Sequence, residues 1–457
     1  MILIKNGYDV YGERIDVLVK DGKIADIRQG DGSSVCSTPA VCGRHPLPRK
    51  GAGNCLPLPP SRTKGVPHSG GGCSQLPHTI DATGLVVAPG LVDMHVHFRD
   101  PGFEYKEDIL TGAGAAAAGG VTTCCCMPNT NPVADNKDTI KYIADKASYA
   151  PIRVLPVGAV TFKQKGSRLT SFNALAKAGA VAFSNDGLPI SSAAVMRNAM
   201  LKAKQKDYLI ISHAEDDDLA KNHAVNDGHV SKQLGLPGRP AIAEDIMVAR
   251  DVALAAETGA RLHIAHVSTA NSVDIIRRAK EAGVRVTAET CPQYFTLTED
   301  EILSQGTAAR VNPPLRTWRD VEAIKLGLED GTIDAIATDH APHSSLEKEL
   351  PLIDAPSGMI GLETSLALAL TFLYHRKRLG LEQIIKLMST NPAKILGIEA
   401  GVLETGKPAD IVLFDPNEEW TVDSALFKSK SSNTPFNGMK LRGKVTHTIC
   451  RGKLVYG

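Results

Sequence analysis

Through the middle of this chain, eight apolar runs rich in β-branched residues alternate with stretches of helical character. The runs end near His97, Met127, Val160, Ser184, His213, His266, Glu289 and Asp339. The helical stretches include 108–118, 193–204, 244–257 and 272–282. Eight strands alternating with helices over about 250 residues predict an α/β fold, a TIM-like (β/α)8 barrel with parallel strands and right-handed crossovers. A doubly wound open sheet is the alternative that the same alternation allows.

Both ends of the chain show a different pattern, in which short strand-like segments are separated by turn residues. Near the start, 15–19 and 24–27 flank Asp21-Gly22, and near the end 409–414 and 445–450 are strand-like. This pattern predicts one small β domain built from both termini. The predicted domain limits are 1–88 and 399–457 for the two parts of the β domain, and 89–398 for the barrel.

Residues 36–78 fit neither pattern, since they are rich in Pro, Gly, Ser and Arg and contain few large apolar residues. Such a segment buries little surface, so we predict a low-complexity, disordered insertion in the small β domain. Because it enters that domain away from the barrel mouth, we expect activity to survive its deletion. Its cysteines and histidines are Cys36, Cys42, Cys55, Cys73, His45, His68 and His78. They lack the short Cys-x2–4-Cys spacing of zinc knuckles, and we favour neither a structural zinc nor a disulfide framework.

The charge balance gives no argument for a polyanionic partner, because 51 basic residues meet 50 acidic ones. We therefore expect binding neither to nucleic acid nor to a membrane surface. No apolar run reaches the length of about 18 residues that a membrane-spanning helix needs, and the first residues lack the features of a signal peptide. A cytoplasmic protein is the expectation. Outside 36–78, we interpret Cys124, Cys125, Cys126, Cys291 and Cys450 as small apolar core residues.

Two histidines lie two residues apart within the first strand-like run. Side chains alternate between the faces of a strand, so His95 and His97 point the same way and form half of a metal site. Other candidate ligands follow later strands, at the end of the barrel where functional residues gather. These are Asp186 after the fourth strand, His213 after the fifth, His266 after the sixth and Asp339 after the eighth.

Four imidazoles and two carboxylates at one barrel mouth suit a zinc-type divalent metal centre. A carboxylate can bridge two cations and an imidazole cannot, so we assign Asp186 as the bridge. His95 and His97 then bind one metal, and His213 and His266 bind the other. Each residue has a structural alternative, either a core histidine, a turn at Asp186-Gly187 or a loop cap at Asp339. All of these alternatives would have to hold together on successive strands.

Three other histidines are interpreted as structural or exposed. Strand alternation turns His263 away from His266, and we predict a structural role for it. His223 and His229 lie in a loop or on a helix, where we expect them to be solvated.

Several motifs resemble those of the dihydroorotase family of the amidohydrolase superfamily, in its bacterial single-function type. The motifs are His95-Val96-His97-Phe98-Arg99-Asp100-Pro101-Gly102, Met127-Pro128-Asn129-Thr130, Val311-Asn312-Pro313-Pro314-Leu315-Arg316 and Ala337-Thr338-Asp339-His340-Ala341-Pro342-His343. The resemblance extends over nearly the whole chain except about 36–78. It also implies a barrel with a composite β domain.

The resemblance implies the reversible cyclisation of N-carbamoyl-L-aspartate to L-dihydroorotate, a step of pyrimidine biosynthesis. It implies two zinc ions per subunit, bridged by Asp186 and a hydroxide that attacks the ring amide carbonyl. Asp339 would accept the proton of that hydroxide and deliver it to the departing nitrogen. In the biosynthetic direction, the metals would polarise the side-chain carboxylate that the ureido nitrogen attacks.

The resemblance also implies the substrate-binding residues. Arg99 faces the mouth two residues past His97, and its guanidinium suits bidentate binding of a carboxylate. Arg99, Asn129 and His343 would bind the α-carboxylate, and Asn312 would bind the ring. Without the resemblance, these residues are interpreted as a surface arginine, two turn asparagines and a loop histidine.

Two positions depart from patterns in the superfamily. Dihydropyrimidinases, hydantoinases and many allantoinases carry a carboxylated lysine on the fourth strand, where this chain has Ser184-Asn185-Asp186-Gly187. Dihydroorotases of this type show two adjacent acids before that glycine. Asn185 replaces the first acid, and this replacement could change the metal affinity. Gln293 stands where relatives often have His, and we expect little effect on metal binding.

Two other functions remain as alternatives. One is a cyclic amidase of the hydantoinase or allantoinase kind, although its uncharged substrates would leave Arg99, Asn129 and His343 without a carboxylate to bind. The other is an inactive subunit that supports aspartate carbamoyltransferase, although such subunits lose metal ligands. From the family we also expect a homodimer and, in some members, association with aspartate carbamoyltransferase.

Overall fold

The structure is a computed structural model, and it describes residues 1–29, 77–221 and 223–457. The predicted insertion therefore lies almost entirely outside the described residues, together with Cys36, Cys42, Cys55, Cys73, His45 and His68. Its predicted end was one residue too late. His78 begins a strand and pairs with Ile2, because the apolar residue Ile80 two positions later enters the core of the terminal sheet.

Eight parallel strands form one sheet in sequential order. The strands are β6 (Leu91–Val96), β7 (Val121–Cys126), β8 (Arg153–Ala159), β9 (Ala182–Ser184), β10 (Leu209–Ser212), β13 (Arg261–Ile264), β14 (Val286–Thr290) and β15 (Ala335–Ile336). A parallel bridge between Val96 and His340 joins the first strand to the segment after the last, and the His97 amide donates to the His340 carbonyl. The sheet is thus a nearly closed barrel, which confirms the predicted fold class over the open sheet.

Helices follow most of the barrel strands, and the four predicted helical stretches are all confirmed within two residues. The longer helices are α1 (Ile109–Ala118), α2 (Lys137–Ala147), α3 (Phe172–Ala178), α4 (Ala193–Lys204), α7 (Ile242–Thr258), α8 (Ala270–Glu281) and α11 (Trp318–Glu329). The shorter ones are α5 (Asp217–Ala220), α6 (His229–Leu234), α9 (Pro292–Thr296), α10 (Glu301–Gln305), α12 (Ser345–Lys348), α13 (Ser365–Ala369), α14 (Leu381–Ile385) and α15 (Asn391–Leu396). Side-chain caps such as Asp108 and Asn136 accept from the first free amides and fix where α1 and α2 begin.

The two ends of the chain form a second sheet. Its strands are β1 (Ile2–Tyr8), β2 (Arg14–Lys20), β3 (Lys23–Gln29), β4 (His78–Asp81), β5 (Val86–Pro89), β16 (Ile411–Thr421), β17 (Lys440–Cys450) and β18 (Lys453–Tyr456). The antiparallel ladder between β5 and β16 joins the N-terminal strands to the C-terminal ones. This arrangement confirms a β structure built from both termini. Two short strands, β11 (Val225–Asn226) and β12 (Gly238–Arg239), pair with each other after β10.

Apolar residues pack on both sides of the barrel sheet. Val92, Met94 and Ile211 belong to an interior cluster, and Phe183 belongs to the larger cluster between strands and helices. The five cysteines of the described residues are buried and unpaired, as predicted for core residues. None of the described helices has the length and apolar character needed to cross a bilayer.

Candidate metal centre and active site

Every predicted metal ligand lies at or just beyond the C-terminal end of a barrel strand. His95 is in β6 and His97 follows it, His213 directly follows β10, and the others sit in the short segments after β9, β13 and β15. All six side chains are nearly inaccessible, with at most 7 % of any residue exposed. The barrel therefore gathers residues up to 244 positions apart into one buried cluster at its mouth.

The Asp186 carboxylate lies between two pairs of imidazoles. Its Oδ1 atom is 3.3 Å from His95 Nε2, 3.6 Å from His213 Nδ1 and 3.5 Å from His266 Nε2. Its Oδ2 atom is 3.3 Å from His97 Nε2. One carboxylate thus contacts all four histidines, as a bridging residue would.

Asp339 lies on one side of this cluster, with Oδ1 3.0 Å from His97 Nε2 and 3.6 Å from His95 Nε2. Its backbone has a φ of 49°, a left-handed value that is rare for a residue with a side chain. The preceding Thr338 is held by Asp93, whose carboxylate accepts from the Thr338 amide and hydroxyl and from the His95 amide. Asp93, which sequence reasoning missed, therefore links the backbones that carry His95 and Asp339.

The donor set fits divalent cations in two adjacent places. His95, His97 and Asp186 form one group, and Asp186, His213 and His266 form the other, with the candidate ligand atoms of each group within 4.8 Å of one another. His95 Nε2 and Asp186 Oδ1 are buried without a hydrogen-bond partner, a costly state that a shared cation would relieve. Asp339 belongs to neither group but adjoins the first.

The electrostatics also favour positive charge in the cluster. Burial alone raises the pKa of Asp186, but the surrounding imidazoles, His95 first, hold it well below its ordinary value. Burial alone lowers the pKa of His95, yet the carboxylates of Asp186 and Glu289 hold it well above its ordinary value. In the absence of metal His95 is thus held in its protonated form, and a cation binding there would displace the proton on Nε2.

Glu289, at the end of the seventh apolar run, orients one of the predicted ligands. Its Oε1 lies 2.6 Å from His95 Nδ1, and its Oε2 lies 3.3 Å from His263 Nε2. Although burial opposes it, the neighbouring imidazoles, His95 first, lower the pKa of Glu289 to about 2. His263 therefore lies behind the cluster, as its predicted structural role requires. Sequence reasoning assigned no role to Glu289, although its position at a strand end was a usable signal.

The two positions that depart from family patterns lie outside both metal groups. The Asn185 side chain accepts from the Thr161 amide at 3.0 Å and donates to the Thr161 hydroxyl at 2.7 Å. Gln293 is buried in α9. Of the histidines expected to be solvated, His229 is exposed and contacts Asp300, whereas His223 is only half-buried.

A cavity of about 180 Å³ opens beside the metal cluster. It is lined by His97, Arg99, Asn129, Asp186, Gly187, His213, His266, Asn312, Asp339, Ala341, His343, Ser357 and Gly358. All four predicted substrate-binding residues are thus brought to one cavity with five of the six predicted metal ligands.

Arg99 and His343 lie side by side in this cavity. Arg99 Nη2 is 3.3 Å from His343 Nε2, and Arg99 Nε donates to the Pro342 carbonyl at 3.2 Å. Burial lowers the pKa of Arg99 to about 10, which still leaves it charged near neutral pH. A charged guanidinium beside an imidazole is suited to bind a carboxylate.

The two asparagines contact metal-cluster histidines. His97 Nδ1 donates to Asn129 Oδ1 at 2.8 Å, which leaves His97 Nε2 free to face Asp186. Asn312 Nδ2 donates to Glu215 Oε2 at 3.2 Å, and Asn312 Oδ1 accepts from Arg239. Glu215 and Arg239 were missed by sequence reasoning, because nothing in their local pattern indicates that Arg239 in β12 reaches the barrel mouth.

Comparison with known proteins agrees with this geometry. Residues 84–272 match a family model described as dihydro-orotase-like. A dihydroorotase of Clostridioides difficile is 52% identical over 377 residues, covering 82% of this chain and 89% of the relative. A dihydroorotase of Acetivibrio thermocellus is likewise 52% identical over 377 residues, covering 82% of this chain and 88% of the relative.

Among solved structures, similar folds are found in related enzymes. The L-hydantoinase (dihydropyrimidinase) of Arthrobacter aurescens has a TM-score of 0.81 at 26% identity, covering 100% of this chain and 96% of that one. The dihydropyrimidinase of Brevibacillus agri has a TM-score of 0.79 at 24% identity, covering 100% and 95%, and this likeness supports the fold alone. The sequence relatives are far closer, and by them the chain belongs to the dihydroorotase family of cyclic amidohydrolases.

Proposed function

We propose that this protein catalyses the reversible cyclisation of N-carbamoyl-L-aspartate to L-dihydroorotate, in the de novo synthesis of pyrimidines. One observation carries the proposal. The pair Arg99 and His343, suited to a carboxylate, shares a cavity with the buried cluster around Asp186. Both the linear and the cyclic compound carry the α-carboxylate that such a pair would hold, and the carbonyl that reacts lies at the other end of the same short carbon chain.

Two zinc ions per subunit are the cofactor that we propose. His95 and His97 would hold one, His213 and His266 the other, and Asp186 both, since its two oxygens face different imidazoles. When bound, such cations polarise the reacting carbonyl and make a nucleophile available from water near neutral pH. Asp339, 3.0 Å from His97 Nε2, would complete the first position.

Asp339 is the residue that moves the proton. In the hydrolytic direction, its carboxylate accepts a proton from the attacking water and delivers it to the departing ring nitrogen. In the biosynthetic direction, it takes the proton from the ureido nitrogen as that atom attacks the side-chain carboxylate, and it delivers this proton to the carboxylate oxygen that departs when the C–O bond breaks.

The remaining residues orient the substrate. The Arg99 guanidinium and the His343 imidazole bind the α-carboxylate together with Asn129, whose Oδ1 atom is occupied by His97 and whose amide nitrogen remains for the ligand. Asn312 lies on the opposite wall beside His213 and contacts the ring. Fixing both ends of the substrate holds the reacting atoms in contact and in the right orientation, which contributes to the rate enhancement over the uncatalysed reaction.

A hydantoinase-like activity is the second candidate, and the solved structures of similar fold favour it. The substrates of that class are uncharged, so they would leave the Arg99 and His343 pair without a carboxylate to bind. The fourth strand also offers Asp186 in place of the lysine that hydantoinases carboxylate. Turnover of hydantoin or dihydrouracil at rates matching dihydroorotate would establish this alternative.

We also propose that the protein is a cytoplasmic homodimer that can associate with aspartate carbamoyltransferase, as some members of the family do. A non-catalytic supporting role is not favoured, since all four histidines and Asp339 remain in the cluster.

The decisive experiment combines metal analysis with an assay in both directions. Purified protein should contain about two zinc ions per chain, the number that the two ligand groups would hold, and should interconvert carbamoyl-aspartate and dihydroorotate. Chelation should abolish turnover, and added zinc should restore it. Metal-loaded, folded protein without activity on either compound would refute the proposal.

A further inference from the structure

We propose that Lys106 is a positioning residue that keeps the proton of His343 on Nε2, the nitrogen that faces the substrate cavity. The inference rests on the proposed function, in which His343 binds the substrate carboxylate. It goes beyond that function by assigning a role to a residue outside the substrate cavity. Lys106 does not line the cavity and would act only through His343.

The hydrogen bonds on the two sides of the imidazole determine where its proton lies. Lys106 Nζ is 3.2 Å from His343 Nδ1. An ammonium group has three donors and no acceptor, so Nδ1 must accept. On the other side, the Ser357 carbonyl oxygen is 2.9 Å from Nε2 and can only accept. A neutral His343 therefore carries its proton on Nε2.

The imidazole is held neutral as well. Burial, followed by the charges of Arg99 and Lys106, lowers the pKa of His343 to about 2. With one proton to place, the tautomer decides whether His343 donates to a carboxylate or repels it.

Lys106 is itself fixed in place. Its Nζ atom is 2.7 Å from Glu347 Oε1, its side chain is only 12% exposed, and the Tyr105 hydroxyl donates to the same Glu347 oxygen at 3.0 Å. The rings of Phe103 and Tyr105 lie 5.7 and 5.5 Å from the ammonium, within range of cation–π attraction. The lysine thus links the loop after β6, which carries Arg99, to α12, which begins just after His343.

The Nε2 proton of His343 is donated to the carbonyl of Ser357, a residue that lines the cavity, so a carboxylate bound there would share this proton. Arg99 Nη2 and His343 Nε2 are 3.3 Å apart, and both are donors in this tautomer, so they cannot satisfy each other. A carboxylate between them accepts from both. Glycine is required at position 358, since a Cβ atom there would lie 2.7 Å from Ala341 Cβ and 3.0 Å from His343 Nε2.

Kinetics of the full-length, zinc-loaded enzyme test the proposal. For Lys106→Met, we expect the KM for dihydroorotate to rise about tenfold while kcat changes less than about threefold, as for loss of an orienting partner. In a His343→Asn background the same substitution should have little further effect, because residues acting through one contact are not additive. Full additivity of the two substitutions would overturn the proposal.

Lys280→Met is the matched control. Its ion pair with Asp334 has a similar length of 2.6 Å and a similarly exposed acid, but it lies before β15, away from the mouth. It should lose comparable stability without a change in KM. Lys106→Arg, which keeps donors and offers no acceptor, should retain a KM near that of the wild type. An equal rise in KM for Lys280→Met or Lys106→Arg would contradict the tautomer role.

Nitrogen-15 NMR gives a readout that does not depend on turnover. With His343 assigned by comparison with His343→Asn, the wild type should show an unprotonated Nδ1 and a protonated Nε2, and Lys106→Met should shift this population. A wild-type proton on Nδ1 would overturn the proposal even if the methionine variant fails to fold. An enzyme with this tautomer but no activity on dihydroorotate would refute the proposed function instead.

Discussion

The Nδ1 atom of His95 lies 2.6 Å from Oε1 of Glu289, and both side chains are fully buried. The contact makes Nδ1 a donor. When a cation displaces the other proton, Nε2 is therefore the nitrogen left with a lone pair, which is the tautomer that a metal ligand needs. Because the carboxylate is charged, it also makes the imidazole a stronger ligand.

Glu289→Gln should therefore weaken metal binding by about 10–100-fold, the usual cost of losing such an orienting partner. Competition titration with a chelator measures this affinity. Glu299→Gln is a suitable control, since Glu299 is also a buried acid paired with a histidine, His229, but lies outside both metal groups. Equal metal affinity in the Glu289 variant would mean that the contact does not orient a ligand.

Asp339→Asn should reduce kcat by about 10²–10⁴-fold, the range typical of a lost general acid–base. The amide keeps the shape of the side chain but cannot accept the proton. Metal should stay bound, since His95, His97 and Asp186 still hold the first position and the amide oxygen of the new side chain keeps a donor there. Activity near that of the wild type would remove Asp339 from the mechanism.

Asn185→Asp should leave the metal affinity unchanged, although it restores the adjacent acids expected of the family. The side chain is turned to Thr161, and an aspartate there can still accept from the amide and the hydroxyl. The same chelator titration decides the matter, and a markedly altered affinity would show that residue 185 reaches the metal.

Glu363 should make stability fall as pH rises. Burial raises its pKa from 4.5 to about 7, although it accepts from the amides of Lys428 and Ser429. Between these two pH values, the folded state therefore keeps a proton that the unfolded chain releases. The contribution of this proton to the free energy of unfolding is complete below pH 4.5 and is lost as the pH rises through 7.

Glu363→Gln keeps an acceptor for those amides and removes the titration. Between pH 5 and 8, the free energy of unfolding of the wild type should fall by about 2 kcal/mol more than that of the variant. Denaturant unfolding at both pH values tests this difference, and parallel pH dependences would contradict it.

Deletion of 36–76 should leave kcat and KM unchanged. The strands on either side, β3 ending at Gln29 and β4 beginning at His78, both belong to the terminal sheet, whereas the cavity lies at the barrel mouth. The deletion stops before His78 because that residue pairs with Ile2. A folded but inactive deletion variant would show that the segment contributes to the site.

The sequence alone determined the barrel and the histidines and aspartates at its mouth. Hydrophobic alternation is local, so the ends of apolar runs can be identified without knowing what packs against them. Parallel strands then place those ends together whatever their separation in sequence. That is why His95, His213 and Asp339 could be assigned to one cluster.

Only the tertiary structure decided which side chains support the cluster. Glu289 behind His95, Lys106 behind His343 and Arg239 behind Asn312 are partners from different segments, whose contacts depend on barrel closure and loop geometry. No periodic pattern encodes them. The direction of Asn185 was decided in the same way, because strand alternation ends where the loop begins and hydrogen bonding to Thr161 then sets the orientation.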